Sequence, residues 1–321
     1  MEEKIVAVVN EMAEVLNVAQ LKKLQEVLLK NFNENTKVEQ PITNTEYLRL
    51  FIDAKSIEGC SARTIKYYSS TIEHMLSKIQ TPIRKITTEI MREYLVDYQK
   101  QRNCSKTTVD NIRRNISSFF SWLEEEDYIL KSPMRRIHKI KTKSVVKEVI
   151  SDEEVEKLRD NCSTLRDLAI IDLFASSGMR IGELISLNIK DVNFDQREMI
   201  VYGKGGKERL CYFNARTKIE ILDYLSTRHD KNPALFVQRK YPYERFQRGG
   251  IRHMLNDIEN RTGIVNIHPH RFRRTLATSL LEKGMSLEQV KVILGHKRIE
   301  TTLVYAGINQ TDTKMNHQRY T

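Results

Sequence analysis

A set of side chains in the second half of the chain has the types that together can act on a phosphate ester. They fall in four short motifs, "SSGMRIGEL", "GKGGKER", "HPHRFRRTLAT" and "LGHKRIETTLVY". Taken singly, each motif is typical of a helical ion pair, a surface turn or a core aromatic. The residues that stand out are Arg180, Glu183, Lys204 or Lys207, His270, Arg273, His296 and Tyr305.

Taken together, these residues suit phosphoryl transfer to a tyrosine. A phosphodiester under attack gains negative charge on its non-bridging oxygens, and two guanidinium groups, from Arg180 and Arg273, can compensate it without a metal ion. Ionising Tyr305 at neutral pH costs roughly 4 kcal/mol, so the reaction needs a base, which His270 can supply. A lysine on a hairpin can protonate the departing 5′ oxygen. No clustered carboxylates or cysteines complete a metal site around His268 and His270, so we expect neither a metal nor a cofactor.

Composition restricts the class of partner. The chain has 321 residues and is 40% hydrophobic, which is enough for two domains. Its formal net charge of +11 favours a polyanion, and nucleic acid is favoured over an anionic membrane surface. No apolar run reaches the roughly 18 residues of a membrane span, and the acidic start differs from a signal peptide. We therefore predict a cytoplasmic, nucleic-acid-binding protein.

The first half of the chain predicts helices. Residues 1–43 form an amphipathic helical segment and a linker, and its near-neutral charge favours packing, equally on a partner protomer or on the next domain. Residues 44–130 predict a small helical domain whose two long helices begin at Ser61 and Ser105, each able to cap a helix. Both of these parts precede the motifs.

A basic connector follows at residues 131–149. Such a segment is usually a solvated linker, but a chain that spans two domains along DNA phosphates needs the same composition, and we favour the DNA interpretation. The candidate DNA-binding residues of this connector are Arg135, Arg136, Lys139, Lys141 and Lys143.

Residues 150–310 predict a mainly helical second domain that carries all four motifs. Ser151 with Glu154 and Ser286 with Gln289 have the spacing of capping boxes. The run "EMIVYGKGGKERLCYF" predicts a β-hairpin around a Gly-Gly turn. Residues 311–321 remain as a tail.

In their order and separation, these motifs resemble those of the tyrosine recombinase (phage integrase) family over about residues 45–310, supported by "SARTIKYY" and "SPMRRI". The resemblance implies that Arg180 and Arg273 clamp the phosphate and that Glu183 orients the site. It implies Lys204 as general acid, with Lys207 as the fallback. It further implies that His270 is the general base, that His296 bonds the phosphate or steadies its neighbours, and that Tyr305 is the nucleophile forming a 3′-phosphotyrosyl bond. Arg274 stands where the family often has histidine.

The resemblance also implies an architecture and an activity. A helical, SAM-like core-binding domain and a mixed α/β catalytic domain would form a C-shaped clamp on double-stranded DNA. A tetramer would join two recombination sites, with the monomer as the form free in solution. The alternatives are a type IB topoisomerase and an inactive DNA-binding protein. Further candidate DNA contacts, mostly in the loop "QRKYPYERFQR", are Arg239, Lys240, Arg245, Arg248 and Arg271.

Overall fold

A computed structural model describes residues 2–33, 42–142, 148–203 and 208–295. The chain divides into two units, residues 1–144 and residues 145–321. Helices dominate both, and within the described ranges the strands belong to one three-stranded antiparallel sheet in the second unit. The predicted mainly α fold with a small antiparallel sheet is therefore confirmed. None of the helices in these ranges has both the length and the apolar character that crossing a bilayer requires.

The first unit is helical and is built on aromatic packing. Ser61 and Ser105 cap their helices as predicted, because each hydroxyl accepts a hydrogen bond of 3.2 Å from the backbone N–H three residues later. Phe51 is fully buried and meets Phe119 and Trp122 edge to face, with ring centroids 5.3 and 5.5 Å away. The helices are α1 Glu2–Met12, α2 Val18–Asn33, α3 Asn44–Ile57, α4 Ala62–Lys78, α5 Thr88–Arg102 and α6 Lys106–Glu125.

The start of the basic connector packs against this unit. A 3-10 turn at Pro133–Arg136 buries Met134 in the helical core. Further on, the backbone N–H of Ile140 donates to Asp110 Oδ1 at 3.0 Å, and Arg113 Nε donates to the same oxygen at 2.8 Å. The Asp110 carboxylate is almost fully buried, so the hydrogen bond to Ile140 fixes the connector to the helical unit.

The second unit is assembled around α8, which is buried along most of its length. Ile170, Ile171 and Phe174 on this helix are fully buried. The predicted capping boxes at Ser151 and Ser286 both form. The helices are α7 Asp152–Asp160, α8 Leu165–Ser177, α9 Ile181–Ser186, α10 Ala215–Ser226, α11 Arg248–Thr262, α12 Pro269–Glu282 and α13 Leu287–Leu294.

The small sheet contains the predicted hairpin and one further strand. β2 (Glu198–Tyr202) pairs antiparallel with β3 (Glu208–Tyr212), and β1 (Val192–Asn193) lies on the other side of β2. Met199 lies opposite Cys211, and both are buried. The strand period of two then turns Arg209 towards the same inner face as Cys211.

Candidate active site

Gly178 brings the end of α8 into contact with two other helices. Its φ of +58° is in the left-handed region, and a Cβ there would lie 3.0 Å from Leu276 Cδ2 and 3.1 Å from Leu294 Cδ2. A side chain at this position would therefore be strained and would press on the leucines of α12 and α13. Because α8 ends here, Arg180 falls at the residue that precedes α9.

Arg180 and Glu183 form the ion pair that their spacing predicted. Arg180 Nη1 donates to Glu183 Oε1 at 2.7 Å, and the backbone N–H of Arg180 donates to Glu183 Oε2 at 2.8 Å. The Glu183 side chain is 2% exposed, whereas that of Arg180 is 37% exposed. Burial alone would raise the pKa of Glu183, but hydrogen bonds from Arg209 and Arg180 bring that pKa below its ordinary value. Glu183 is therefore a carboxylate at neutral pH.

Arg273 lies beside this pair and is almost wholly buried. Its Nη1 donates to the carbonyl of Gly178 at 2.9 Å, and its Nη2 donates to the carbonyl of Leu294. Arg180 Nη2 donates to the next carbonyl, that of Gly295, at 3.2 Å. The two arginines thus meet at the carboxyl end of α13, where helix carbonyls lack partners and the helix dipole is negative. The predicted pair of guanidinium groups is brought together.

His270 lies one turn before Arg273 on α12 and retains solvent access. Pro269 occupies the first turn of this helix, and the ring of His268 caps it by accepting the Arg271 N–H at 3.0 Å. Partial loss of hydration lowers the pKa of His270, and the positive charge of Arg273 lowers it further. The His270 ring is therefore neutral at pH 7 and can accept a proton. Among the described residues, no three His, Cys, Asp or Glu side chains are grouped to hold a metal ion.

Arg209 is a site residue that the sequence analysis missed. Its Nη2 donates to Glu183 Oε2 at 2.8 Å and its Nη1 donates to the carbonyl of Ile293 at 2.7 Å. The signal was present in the sequence: alternation along the predicted strand turns Arg209 to the same side as the apolar Cys211. An arginine directed inward from a strand needs acceptors there, and these come from α9 and α13.

Several predicted site residues fall outside the described residues. Their roles therefore stay predictions. They are Lys143, Lys204, Lys207, His296 and Tyr305.

Most of the described candidate DNA contacts are at the surface. Arg135 is 61% exposed and also pairs with Glu124 at 2.9 Å. Arg248 is half-buried at the start of α11. The remaining exposed candidates are Arg136, Lys139, Lys141, Arg239 and Lys240.

Two candidate DNA contacts depart from that expectation. Arg245 Nη1 donates to the carbonyls of Ile185 and Leu187 at 2.9 and 2.8 Å. Arg271 is 6% exposed and Nη1 of its guanidinium donates to the Val265 carbonyl at 2.7 Å. Both side chains bind protein carbonyls because they point inward, and a count of charges along the sequence cannot detect that direction.

The far end of the basic connector is held by α12. Arg271 Nη2 donates to the Val149 carbonyl at 3.0 Å, and Arg274 Nη1 donates to the Glu148 carbonyl at 2.7 Å. The backbone N–H of Ile150 donates to Thr275 Oγ1 at 2.8 Å. The helix that carries His270 and Arg273 therefore also fixes the last residues of the connector, and Arg274 has a structural partner there.

The described site brings two arginines together beside a buried carboxylate, and comparison with known proteins specifies the family. Residues 148–312 match the model described as "Phage integrase family". Residues 47–130 match the model described as "Phage integrase, N-terminal SAM-like domain". The first match alone spans half of the chain.

Curated relatives and solved structures agree with these matches. The chain is 30% identical over 274 residues to tyrosine recombinase XerC of Staphylococcus haemolyticus. The aligned region covers 81% of this chain and 91% of the relative. The chain is also 29% identical to tyrosine recombinase XerA of Pyrococcus horikoshii over 85% of this chain and 92% of that one. A Tn1549 transposon integrase bound to circular intermediate DNA has the same fold at 18% identity, with a TM-score of 0.71 over 85% of this chain and 99% of that one.

This chain belongs to the phage integrase family of tyrosine recombinases. It is a site-specific recombinase that acts on DNA. The relatives favour this activity over the type IB topoisomerase alternative.

Proposed function

We propose that this recombinase cleaves one DNA strand by attack of Tyr305 on a phosphate held between Arg180 and Arg273. The observation that carries the proposal is the convergence of these two arginines on consecutive carbonyls, those of Leu294 and Gly295. Gly295 directly precedes His296 in the chain, so the same turn leads to the third proposed phosphate ligand.

Cleavage exchanges one phosphorus–oxygen bond for another. The Tyr305 oxygen bonds to phosphorus while the bond to the 5′ oxygen breaks, which leaves a 3′-phosphotyrosyl linkage and a free 5′ hydroxyl. His270, neutral because of its lowered pKa, accepts the tyrosine proton. Lys204 protonates the 5′ oxygen as it leaves. Rejoining is the reverse reaction with a 5′ hydroxyl of another strand, so the phosphodiester energy is retained and no net hydrolysis occurs.

The arginines stabilise the transition state because they are ordered before DNA binds. Arg273 is fixed by carbonyls of two elements, and Arg180 is fixed by Glu183 while 37% of its side chain stays open to solvent. Donors that are already oriented need no reorganisation when charge develops on the phosphate. Loss of one such donor typically costs about 10² to 10³ in rate.

The proposed assembly is a tetramer that joins two double-stranded DNA sites, with the two units of each protomer closing as a clamp on DNA. The exposed lysine and arginine side chains of the connector and of residues 239–240 would contact DNA phosphates. The proposed compartment is the one that contains the DNA substrate, the cytoplasm. Binding that neutralises phosphates predicts a log-log salt slope of about −0.9 per phosphate contacted.

Covalent trapping tests the proposed chemistry. A library of nicked duplexes with randomised arms would be incubated with the full-length protein in EDTA, and adducts that survive denaturant would be isolated and sequenced. We expect adducts enriched in one DNA site with the wild-type protein, and none with Tyr305→Phe. Tyr212→Phe is the matched control, because Tyr212 is 47% exposed in the same unit and should retain adduct formation.

The other outcomes each reject part of the proposal. Adduct formation by Tyr305→Phe would mean that a different residue is the nucleophile. Dependence on a divalent ion would reject the metal-free clamp. Efficient relaxation of plasmids that lack the enriched site would favour the topoisomerase alternative, and the absence of any adduct would favour the inactive DNA-binding protein.

A further inference from the structure

Arg209 provides a third guanidinium group beside the two arginines of the proposed phosphate clamp. Its side chain is 14% exposed and contacts two elements, through Glu183 on α9 and the Ile293 carbonyl on α13. Arg273 and Arg180 bind the next two carbonyls, at Leu294 and Gly295. Three arginines from three different elements therefore bind three consecutive carbonyls at one helix end.

Glu183 connects Arg209 to Arg180. One carboxylate oxygen accepts from Arg180 Nη1, and the other accepts from Arg209 Nη2 and from the Arg180 backbone. At 2% exposure the carboxylate has little water to solvate it. Without Arg209, the whole buried charge of Glu183 would be balanced by Arg180 alone, which would hold that guanidinium more tightly to the carboxylate and away from a phosphate.

Arg209 also sets the net charge of the cluster. Arg180, Arg209 and Arg273 contribute three positive charges, and Glu183 contributes one negative charge. The surplus of two positive charges becomes one if Arg209 is neutralised. Loss of Arg209 would therefore weaken the positive field that the phosphate meets as it develops a second negative charge in the transition state.

The side chain of Arg209 packs against the turn that ends α13. Gly295 has a φ of +63°, and a Cβ on it would lie 2.6 Å from Arg209 Cδ and 3.0 Å from Arg209 Nε. The aliphatic part of Arg209 thus lies directly against the residue that precedes His296. A change in the Arg209 side chain therefore affects both the Glu183 carboxylate and the backbone of this turn.

We propose that Arg209 is a positioning residue for catalysis: it shares the Glu183 carboxylate so that Arg180 stays available to the scissile phosphate, and it holds the α13 turn beside both clamp arginines. Arg209 does not itself touch the DNA. This inference rests on the proposed function of Arg180 as a phosphate clamp.

A change of substrate charge distinguishes positioning from a structural role. The test uses single-turnover cleavage of the nicked site recovered by covalent trapping, once as the phosphodiester and once with a methylphosphonate at the scissile position. The methylphosphonate lacks one charged non-bridging oxygen, so its transition state depends less on a fully available Arg180. A defect in overall folding would slow both substrates equally.

We expect Arg209→Met to slow cleavage of the phosphodiester by about 10²-fold, as for a clamp displaced by about 1 Å, with DNA affinity nearly unchanged. The methylphosphonate should be slowed far less. Arg209→Lys keeps the charge but lacks the planar fork with which the two Nη atoms reach Glu183 and Ile293, and it should fall between wild type and Arg209→Met. Arg228→Met is the matched control, because Arg228 is 7% exposed and pairs with Asp230 elsewhere in the unit. It should slow both substrates to the same extent or not at all.

A double-mutant comparison gives an independent measurement. If Arg209 acts through Arg180, adding Arg209→Met to Arg180→Met should slow the phosphodiester reaction by less than the product of the two single effects. Equal slowing of both substrates, additive effects, or wild-type rates in Arg209→Met would each overturn the inference. If Arg209→Met fails to fold, the same comparisons on Arg209→Lys decide it. Absence of an adduct with the wild-type protein would instead reject the proposed function.

Discussion

Glu183→Gln is expected to destabilise the second unit while leaving its shape unchanged. Glutamine has nearly the same volume but no charge, and its NH2 group would replace one of the two oxygens that accept from Arg180 and Arg209. Loss of a hydrogen bond to a charged group costs about 1.5–3 kcal/mol, and breaking a buried ion pair costs about 3–5 kcal/mol. Because Arg180 is 37% exposed and water can solvate it, we expect a loss of about 2–3 kcal/mol in the free energy of unfolding.

The destabilisation should depend on pH in a defined direction. The folded protein holds the pKa of Glu183 below its ordinary value of about 4.3. A carboxyl group with a depressed folded pKa contributes stability above its unfolded pKa, and that contribution is lost as pH falls through the folded value. The difference between wild type and Glu183→Gln should be complete at neutral pH and should narrow below about pH 4.

Urea unfolding followed by circular dichroism measures this difference. Trp122 is the only tryptophan and lies on α6, so its fluorescence reports the first unit and should be the same in both proteins. Asp195→Asn is the matched control, because the carboxylate of Asp195 is 95% exposed and its partner Lys218 is 3.9 Å away. An unchanged midpoint for Glu183→Gln, or a difference that stays constant down to pH 3, would refute the reasoning.

Two further outcomes are expected. Asp110→Ala removes the acceptor of the Ile140 N–H, and a hydrogen bond to a charged group is worth about 1.5–3 kcal/mol, so trypsin should cleave after Lys139 and Lys141 about 10-fold faster or more. The exposed Asp97→Ala should show no such change, and equal digestion of the two variants would contradict the anchor. As the pH is lowered, the single-turnover cleavage rate should fall to half its maximum only below pH 6.5, because burial and nearby positive charge lower the pKa of His270. A midpoint of this rate profile at or above pH 6.5 would exclude His270 as the base.

Local signals in the sequence predicted much of the fold. The serines at 61, 105, 151 and 286 cap their helices because their bonding partners lie three residues away. Two apolar, β-branched runs around a Gly-Gly turn predicted the hairpin, whereas β1 has only two residues and is too short to be recognised in the sequence. Spacing along α12 and α9 likewise predicted the His270–Arg273 and Arg180–Glu183 pairs.

The remaining contacts depend on residues that are distant in the sequence. Arg209 reaches Glu183 across 26 positions and Ile293 across 84. Arg271 has the same charge as its neighbours in the motif, yet it points to carbonyls of Val265 and Val149. A linear pattern gives the type and direction of a side chain, but acceptors brought in by another helix become known only when the helices are packed.

The two anchors of the basic connector indicate where this enzyme can be divided and rejoined. Ile140 is bonded to Asp110 in the helical unit, and Glu148, Val149 and Ile150 are bonded to α12 in the catalytic unit. A hybrid recombinase with a substituted helical unit should therefore be fused between residues 141 and 147. A fusion placed a few residues later would put the junction inside the segment whose backbone carbonyls accept from Arg271 and Arg274, next to the helix that carries His270 and Arg273.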